Sequence, residues 1–275
     1  MKNVAAAFLL IAFIIGLAGA QTTPRVPRVS QGASVKQFVG LSEVSVSYHR
    51  PGVKGRQIWG NVVKFGEPWR AGANEPTLVT LSDEATIGGK KLAAGTYRLV
   101  VFPAEQGNWT VVFNSEVKNW GSIYEAKYDT LRVAVKPETA PMTEWMTFSF
   151  EDPAASSVRL VLAWEKVRLS IPMEFNTLAK IQGSLGSWQL LASAARFAVD
   201  NDLYLADAMG WADRSIALDR NPRNLQVKAE LLAKSGKVAE AITLGEEAVK
   251  MAKAKDAKAN TSALEALVTA WKAKK

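Results

Sequence analysis

Val44-Ser45-Val46-Ser47-Tyr48-His49 alternates apolar and polar side chains without a break. That period of two is the signature of a strand with one face buried and one face wet. Six similar runs follow: Thr77–Leu81, Thr96–Phe102, Trp109–Phe113, Leu131–Val135, Trp145–Phe150 and Val158–Trp164, with a last one at Val167–Ile171. Turn residues punctuate them at Gly88-Gly89, Ala94-Gly95, Gln106-Gly107-Asn108 and Asp152-Pro153. Short strands, regular turns and no intervening helical period predict an all-β, sandwich-like domain over residues 33–173.

After Pro172 the texture changes. Alanine and leucine dominate, and apolar positions recur every three or four residues. This predicts an α-helical domain over residues 174–275, with helices near Thr177–Val199, Leu203–Leu218, Asn224–Lys234, Val238–Ala254 and Ala259–Ala273. Ala208, Ser215 and Leu218 align with Ala241, Ala248 and Met251 at a spacing of 33 residues. Ala229, Leu232, Gly236, Ala241 and Ala248 resemble the pattern of a tetratricopeptide repeat, the alternative being an ordinary antiparallel bundle. Two such units and a last helix are few for a free-standing solenoid, so this half is expected to lean on the β domain.

The N-terminus has the form of a secretory signal: Lys2, an apolar run from Val4 to Leu17, and small residues Ala18-Gly19-Ala20. Residues 1–20 are expected to be removed, which implies export to the periplasm or medium. The apolar run is shorter than the ~20 residues of a spanning helix, so no transmembrane segment is expected after cleavage. Residues 21–32, rich in Pro, Arg and Ser, read as a mobile leader. With no cysteine, disulfides, thiolate catalysis and Cys-based metal sites are excluded.

Net charge is +8, but it is spread along the chain. Residues 21–173 carry 18 basic and 14 acidic side chains, and residues 174–275 carry 15 and 12. Neither half has the concentrated basic face of a nucleic-acid binder.

Charge concentrates instead in one loop. Between Arg50 and Arg70 lie Arg50, Lys54, Arg56, Lys64 and Arg70 against the single acid Glu67, with Trp59 and Trp69 among them. Guanidinium forks suit carboxylate, phosphate or sulfate, and indole faces suit sugars or cations. Together with Asn74 and Glu75, the residues Arg50, Lys54, Arg56, Trp59, Trp69 and Arg70 form the candidate site for an anionic or glycan ligand. The competing reading is that the arginines pair internally and staple a long loop. Asn74 and Glu75 equally suit a turn cap or an ion pair with Arg70.

No catalytic set, metal site or cofactor is expected. His49 is the only histidine, and its strand neighbours Ser45 and Ser47 stand parallel to it at ~7 Å intervals rather than facing it. No nucleophile elbow is present, and Gly88-Gly89-Lys90-Lys91 reads as a hairpin turn rather than a phosphate loop. A hydrolase pairing Glu75 with Asp83, Glu84, Glu125 or Asp129 is the enzymatic alternative. The lysines from Lys250 onward read as a solvated helix face.

Residues 33–173 resemble the bacterial family called domain of unknown function 2911. The resemblance rests on Tyr48, Arg50-Pro51, Lys54-Gly55-Arg56, Ile58-Trp59-Gly60, Phe65-Gly66, Trp69-Arg70 and Gly72-Ala73-Asn74-Glu75. It continues at Gly95-Thr96-Tyr97, Trp109-Thr110-Val111, Asn119-Trp120-Gly121 and Trp164-Glu165. His49 stands where the family more often has serine. The resemblance implies an exported β domain, in some members followed by tetratricopeptide-like helices, and supplies no activity.

Overall fold

In a computed structural model, the described residues are 26–121 and 123–274. The signal sequence and residues 21–25 of the leader lie outside them. Ten strands run in order: β1 (Gln31–Val39), β2 (Ser42–Arg50), β3 (Leu78–Leu81), β4 (Ala85–Ile87), β5 (Lys90–Leu92), β6 (Gly95–Phe102), β7 (Trp109–Asn114), β8 (Asp129–Val135), β9 (Pro137–Glu151) and β10 (Ser157–Phe175). They form two antiparallel sheets, β1-β2-β3-β6-β7-β8 and β5-β4-β10-β9. One core joins them, with Val44, Val46, Leu99, Val111 and Phe113 from the first sheet and Phe148, Leu160, Leu162 and Met173 from the second. The alternation in β2 is realised as read: Val44, Val46 and Tyr48 are buried between more exposed neighbours.

Two corrections concern the strands. Gln31 and Gly32, read as leader, open β1 and pair with Arg50 and His49. The stretches Val158–Trp164 and Val167–Ile171 belong to one 19-residue strand, β10. Glu165, at φ +56°, forms an irregularity inside it, with register shifts on both sides. A bulge breaks the apolar rhythm as a turn would, without ending the strand. Likewise β9 reaches back to Pro137 because it is an edge strand, where Pro137 and Pro141 need no second partner for a missing N–H.

The hairpin at Gly88-Gly89 has both glycines at positive φ, +58° and +74°, the backbone of a tight two-residue turn.

Six helices follow: α1 (Thr177–Ser184), α2 (Trp188–Asn201), α3 (Leu205–Leu218), α4 (Pro222–Lys234), α5 (Val238–Lys255) and α6 (Ser262–Ala273). The first expected helix is thus two. Ser187 interrupts it, its side chain accepting the Leu190 N–H at 3.3 Å as an N-cap. Consecutive helices from α2 to α6 pack on one another around two small cores, one centred on Trp211 and one on Trp271. Close approach is set by small side chains: Ala229, Ala241 and Ala248 are fully buried. Between the halves, the Lys180 ammonium on α1 donates to the Leu41 carbonyl at 2.8 Å and to Asp83 at 2.6 Å. No helix among the described residues is long and apolar enough to cross a membrane.

Candidate functional site

The segment from Pro51 to Thr77 leaves β2 and returns as β3, and it is held to both sheets by backbone. Val53 N–H donates to the Glu144 carbonyl at 2.9 Å, and Met146 N–H to the Pro51 carbonyl at 3.0 Å, both on β9. Trp69 exchanges two 2.8 Å hydrogen bonds with Val101 on β6. The Tyr48 hydroxyl accepts the Phe148 N–H at 3.0 Å beneath it. A long loop pinned at this many points is a fixed wall.

Three loop residues hold left-handed backbone without being glycine: Lys54 (φ +49°), Ala71 (+52°) and Asn74 (+58°). For Ala71, fully buried, this costs of order 1 kcal/mol, a local strain sustained by the surrounding contacts.

Behind the loop is a cavity of about 440 Å³. Lys54, Arg56, Trp69 and Arg70 line it, four of the eight residues expected at a site, and Trp164 and Ser30 complete it from β10 and the N-terminal segment. Among the described residues, no carboxylate lies in its wall.

The other four expected residues stand elsewhere. Arg50 is a staple, donating from Nε to the Met146 carbonyl at 2.9 Å and from Nη2 to the Thr147 hydroxyl at 2.6 Å. Asn74 donates to the Ser30 carbonyl at 3.2 Å. Glu75 pairs not with Arg70 but with Arg28, which donates to both its oxygens at 2.6 and 2.5 Å, and His49 Nε2 lies 3.3 Å away. Trp59 is partly buried against the core cluster, its ring centroid 4.7 Å from Trp109, 5.6 Å from Trp69 and 5.8 Å from Trp164. It lines a separate pocket with Phe65, Trp109 and Glu138 rather than this cavity.

Glu75, His49 and Arg28 line a second, more polar cavity of about 540 Å³ that shares Ser30 with the first. The hydrogen bonds from Arg28, then its own backbone N–H, and the nearby His49 hold the Glu75 carboxyl below the usual carboxylate range. A depressed carboxyl is a poor general acid. The proposed partner carboxylates are also engaged elsewhere: Asp83 with Lys180, Glu84 with Lys91, Glu125 with Lys127 and Asp129 with Arg132.

Arg56 satisfies itself locally, Nε to the Val53 carbonyl at 3.1 Å and Nη2 to the Gly52 carbonyl at 2.7 Å. Lys54 Nζ stands 5.7 Å from the centroid of the Trp145 ring. Arg70 differs from both. Among the described residues its guanidinium makes no hydrogen bond and no ion pair, and its Nε is buried without a partner. Burial pushes the Arg70 pKa below its ordinary value. The indole N–H of Trp164, a side chain only 1% exposed, is also without an acceptor. Trp69 stacks on Trp164 at 5.7 Å with 19° between the planes.

Arg98 escaped the sequence reading altogether. It sits on β6 at 2% exposure, donating to the Gly121 and Ile123 carbonyls. Burial, then the charge of Arg70, pushes its pKa down, with Glu116 a weaker opposing influence. Its position in the apolar strand Gly95–Phe102 was the available signal, since an arginine amid Tyr97, Leu99, Val100 and Val101 needs a purpose there.

Comparison with protein families matches residues 30–173, over half of the chain, to a protein of unknown function (DUF2911). The chain belongs to the DUF2911 family. The matched span takes in both sheets almost entirely and, apart from Val29, every residue that lines the first cavity. No curated protein and no solved structure matches the chain.

Proposed function

We propose that this DUF2911 protein is an exported, non-catalytic binding protein of the cell envelope, with a ligand-bearing oxyanion seated against Arg70. The observation that carries this reading is the unpartnered Arg70 guanidinium in a cavity walled by Lys54 and Arg56 and by no acid. A half-buried cation that has lost water and gained no partner is costly unless something supplies its acceptors. A bound carboxylate, phosphate or sulfate would do so through the fork of the guanidinium. The Trp164 side chain forms part of the same wall.

Of the two ligand classes expected from sequence, the anion is favoured over a stacked sugar. Trp59 is engaged with three other tryptophans outside this cavity, and one face of Trp69 is taken by Trp164. Export rests on the sequence of residues 1–20. The helical half is read as a tetratricopeptide-like array that docks a protein partner. The serial packing of α2 to α6 and the buried alanines at the 33-residue spacing support that part.

The test is a thermal-shift screen of residues 21–275 against phosphate, sulfate, carboxylates and neutral sugars. Anions raise the melting temperature dose-dependently in the wild type and not in Arg70→Ala. A response to neutral sugars alone would overturn the assignment of the site.

A further inference from the structure

The charge around the cavity says more about the ligand, granted that the anion reading holds. Lys54, Arg56 and Arg70 line the cavity, Arg98 meets Arg70 at Gly121, and Arg50 ends β2 where the loop begins; none of the five forms an ion pair among the described residues. Six arginines elsewhere do: Arg28, Arg132, Arg159, Arg168, Arg196 and Arg220. The hydrogen bonds of Arg50, Arg56 and Arg98 go to carbonyls and one hydroxyl, which occupy N–H groups without cancelling charge. The nearby acids are turned to other work. The Glu144 side chain accepts the Lys54 backbone N–H at 2.9 Å, and Glu116 accepts those of Lys118 and Asn119 at 2.7 and 2.9 Å.

We infer that the cavity selects a doubly charged oxyanion, a phosphate monoester group, over a singly charged carboxylate or sulfate ester. A monoanion on Arg70 would leave Lys54 and Arg56 without an ion-pair partner in the cavity wall. A phosphate monoester brings up to two charges and three acceptor oxygens, enough for the Arg70 fork and a second cation together. Coulomb attraction to each cation doubles with the ligand's charge.

The experiment is calorimetric titration of the protein with glucose 6-phosphate, glucose 6-sulfate and glucuronate, which share one sugar body. At pH 7 the phosphate ester binds roughly tenfold or more tightly than the other two, since each tenfold step needs only about 1.4 kcal/mol. Its advantage shrinks toward pH 5, as the second phosphate proton, with a pKa near ~6, returns. His49, the one histidine of the chain, faces Glu75 and Arg28 in the neighbouring cavity rather than this one, so the trend persists in His49→Gln. Arg56→Gln, on an exposed side chain, narrows the gap between phosphate and sulfate.

Equal affinity for the three ligands overturns this inference and leaves the anion site standing. No binding by any of them, by inorganic phosphate or by vesicles containing phosphatidic acid overturns the anion site as well. Inorganic phosphate and phosphatidylcholine vesicles with and without phosphatidic acid identify the source of the group. Arg70-dependent binding to the phosphatidic acid vesicles alone assigns it to a lipid headgroup, and binding to glucose 6-phosphate assigns it to a soluble ester.

Discussion

Arg70 and Arg98 converge on Gly121: Arg98 donates to the Gly121 carbonyl, and the Arg70 side chain packs where a Gly121 Cβ would stand. A methyl there would lie 2.6 Å from Arg70 Cδ and 2.4 Å from the Asn74 carbonyl. The backbone oxygen cannot yield as a side chain could. Gly121→Ala is therefore expected to displace Arg70, weakening anion binding by tenfold or more while lowering stability by about 1–3 kcal/mol. Titration calorimetry and a melting curve on the same variant measure both.

The two ends of the charged loop do different jobs, and paired substitutions separate them. Arg50→Ala removes two hydrogen bonds between the sheets and lowers stability by about 2 kcal/mol, roughly 4–8 °C in melting temperature for a chain of this size. Anion binding is largely retained. Arg70→Ala leaves the apo melting temperature unchanged or slightly higher, because an unpartnered, half-buried charge is removed, and abolishes the response to anions.

Trp59→Ala is expected to be chiefly a folding variant. The ring touches three other tryptophans, so its loss costs about 3 kcal/mol or more, roughly 6–12 °C. A variant that melted like the wild type but failed to bind would restore Trp59 to the site.

The Arg28–Glu75 clasp makes the N-terminal segment sensitive to acid. Because the Glu75 pKa is lowered in the fold, its contribution is present above the unfolded carboxylate value of ~4.3 and is lost as pH falls through the folded value. Protease cleavage within residues 26–30 should accelerate at low pH in the wild type. In Glu75→Gln it should be fast at neutral pH too.

Much of the fold was legible because the physics is local. Alternation in Val44–His49 and the switch to a helical period after Pro172 report which faces are buried, and both survive in the structure. The failures are where tertiary context overrides the local pattern. Glu165 bulges within a strand instead of ending it, and Arg28 and the β2 edge order a segment whose composition suggests mobility.

The site was half legible for a similar reason. Composition singled out the loop, but it could not distinguish Arg50, turned onto β9, from Arg70, turned into the cavity. Arg98 and Trp164 come from distant strands, and only the folding of both sheets around the loop brings them to it.

The central claim is that Arg70 awaits an anion, and melting of the wild type and Arg70→Ala with and without excess phosphate monoester tests it most directly. At a hundredfold excess over the dissociation constant, the wild type should gain about 2.7 kcal/mol and Arg70→Ala nothing. Equal stabilisation of both proteins, or of neither, would contradict the account.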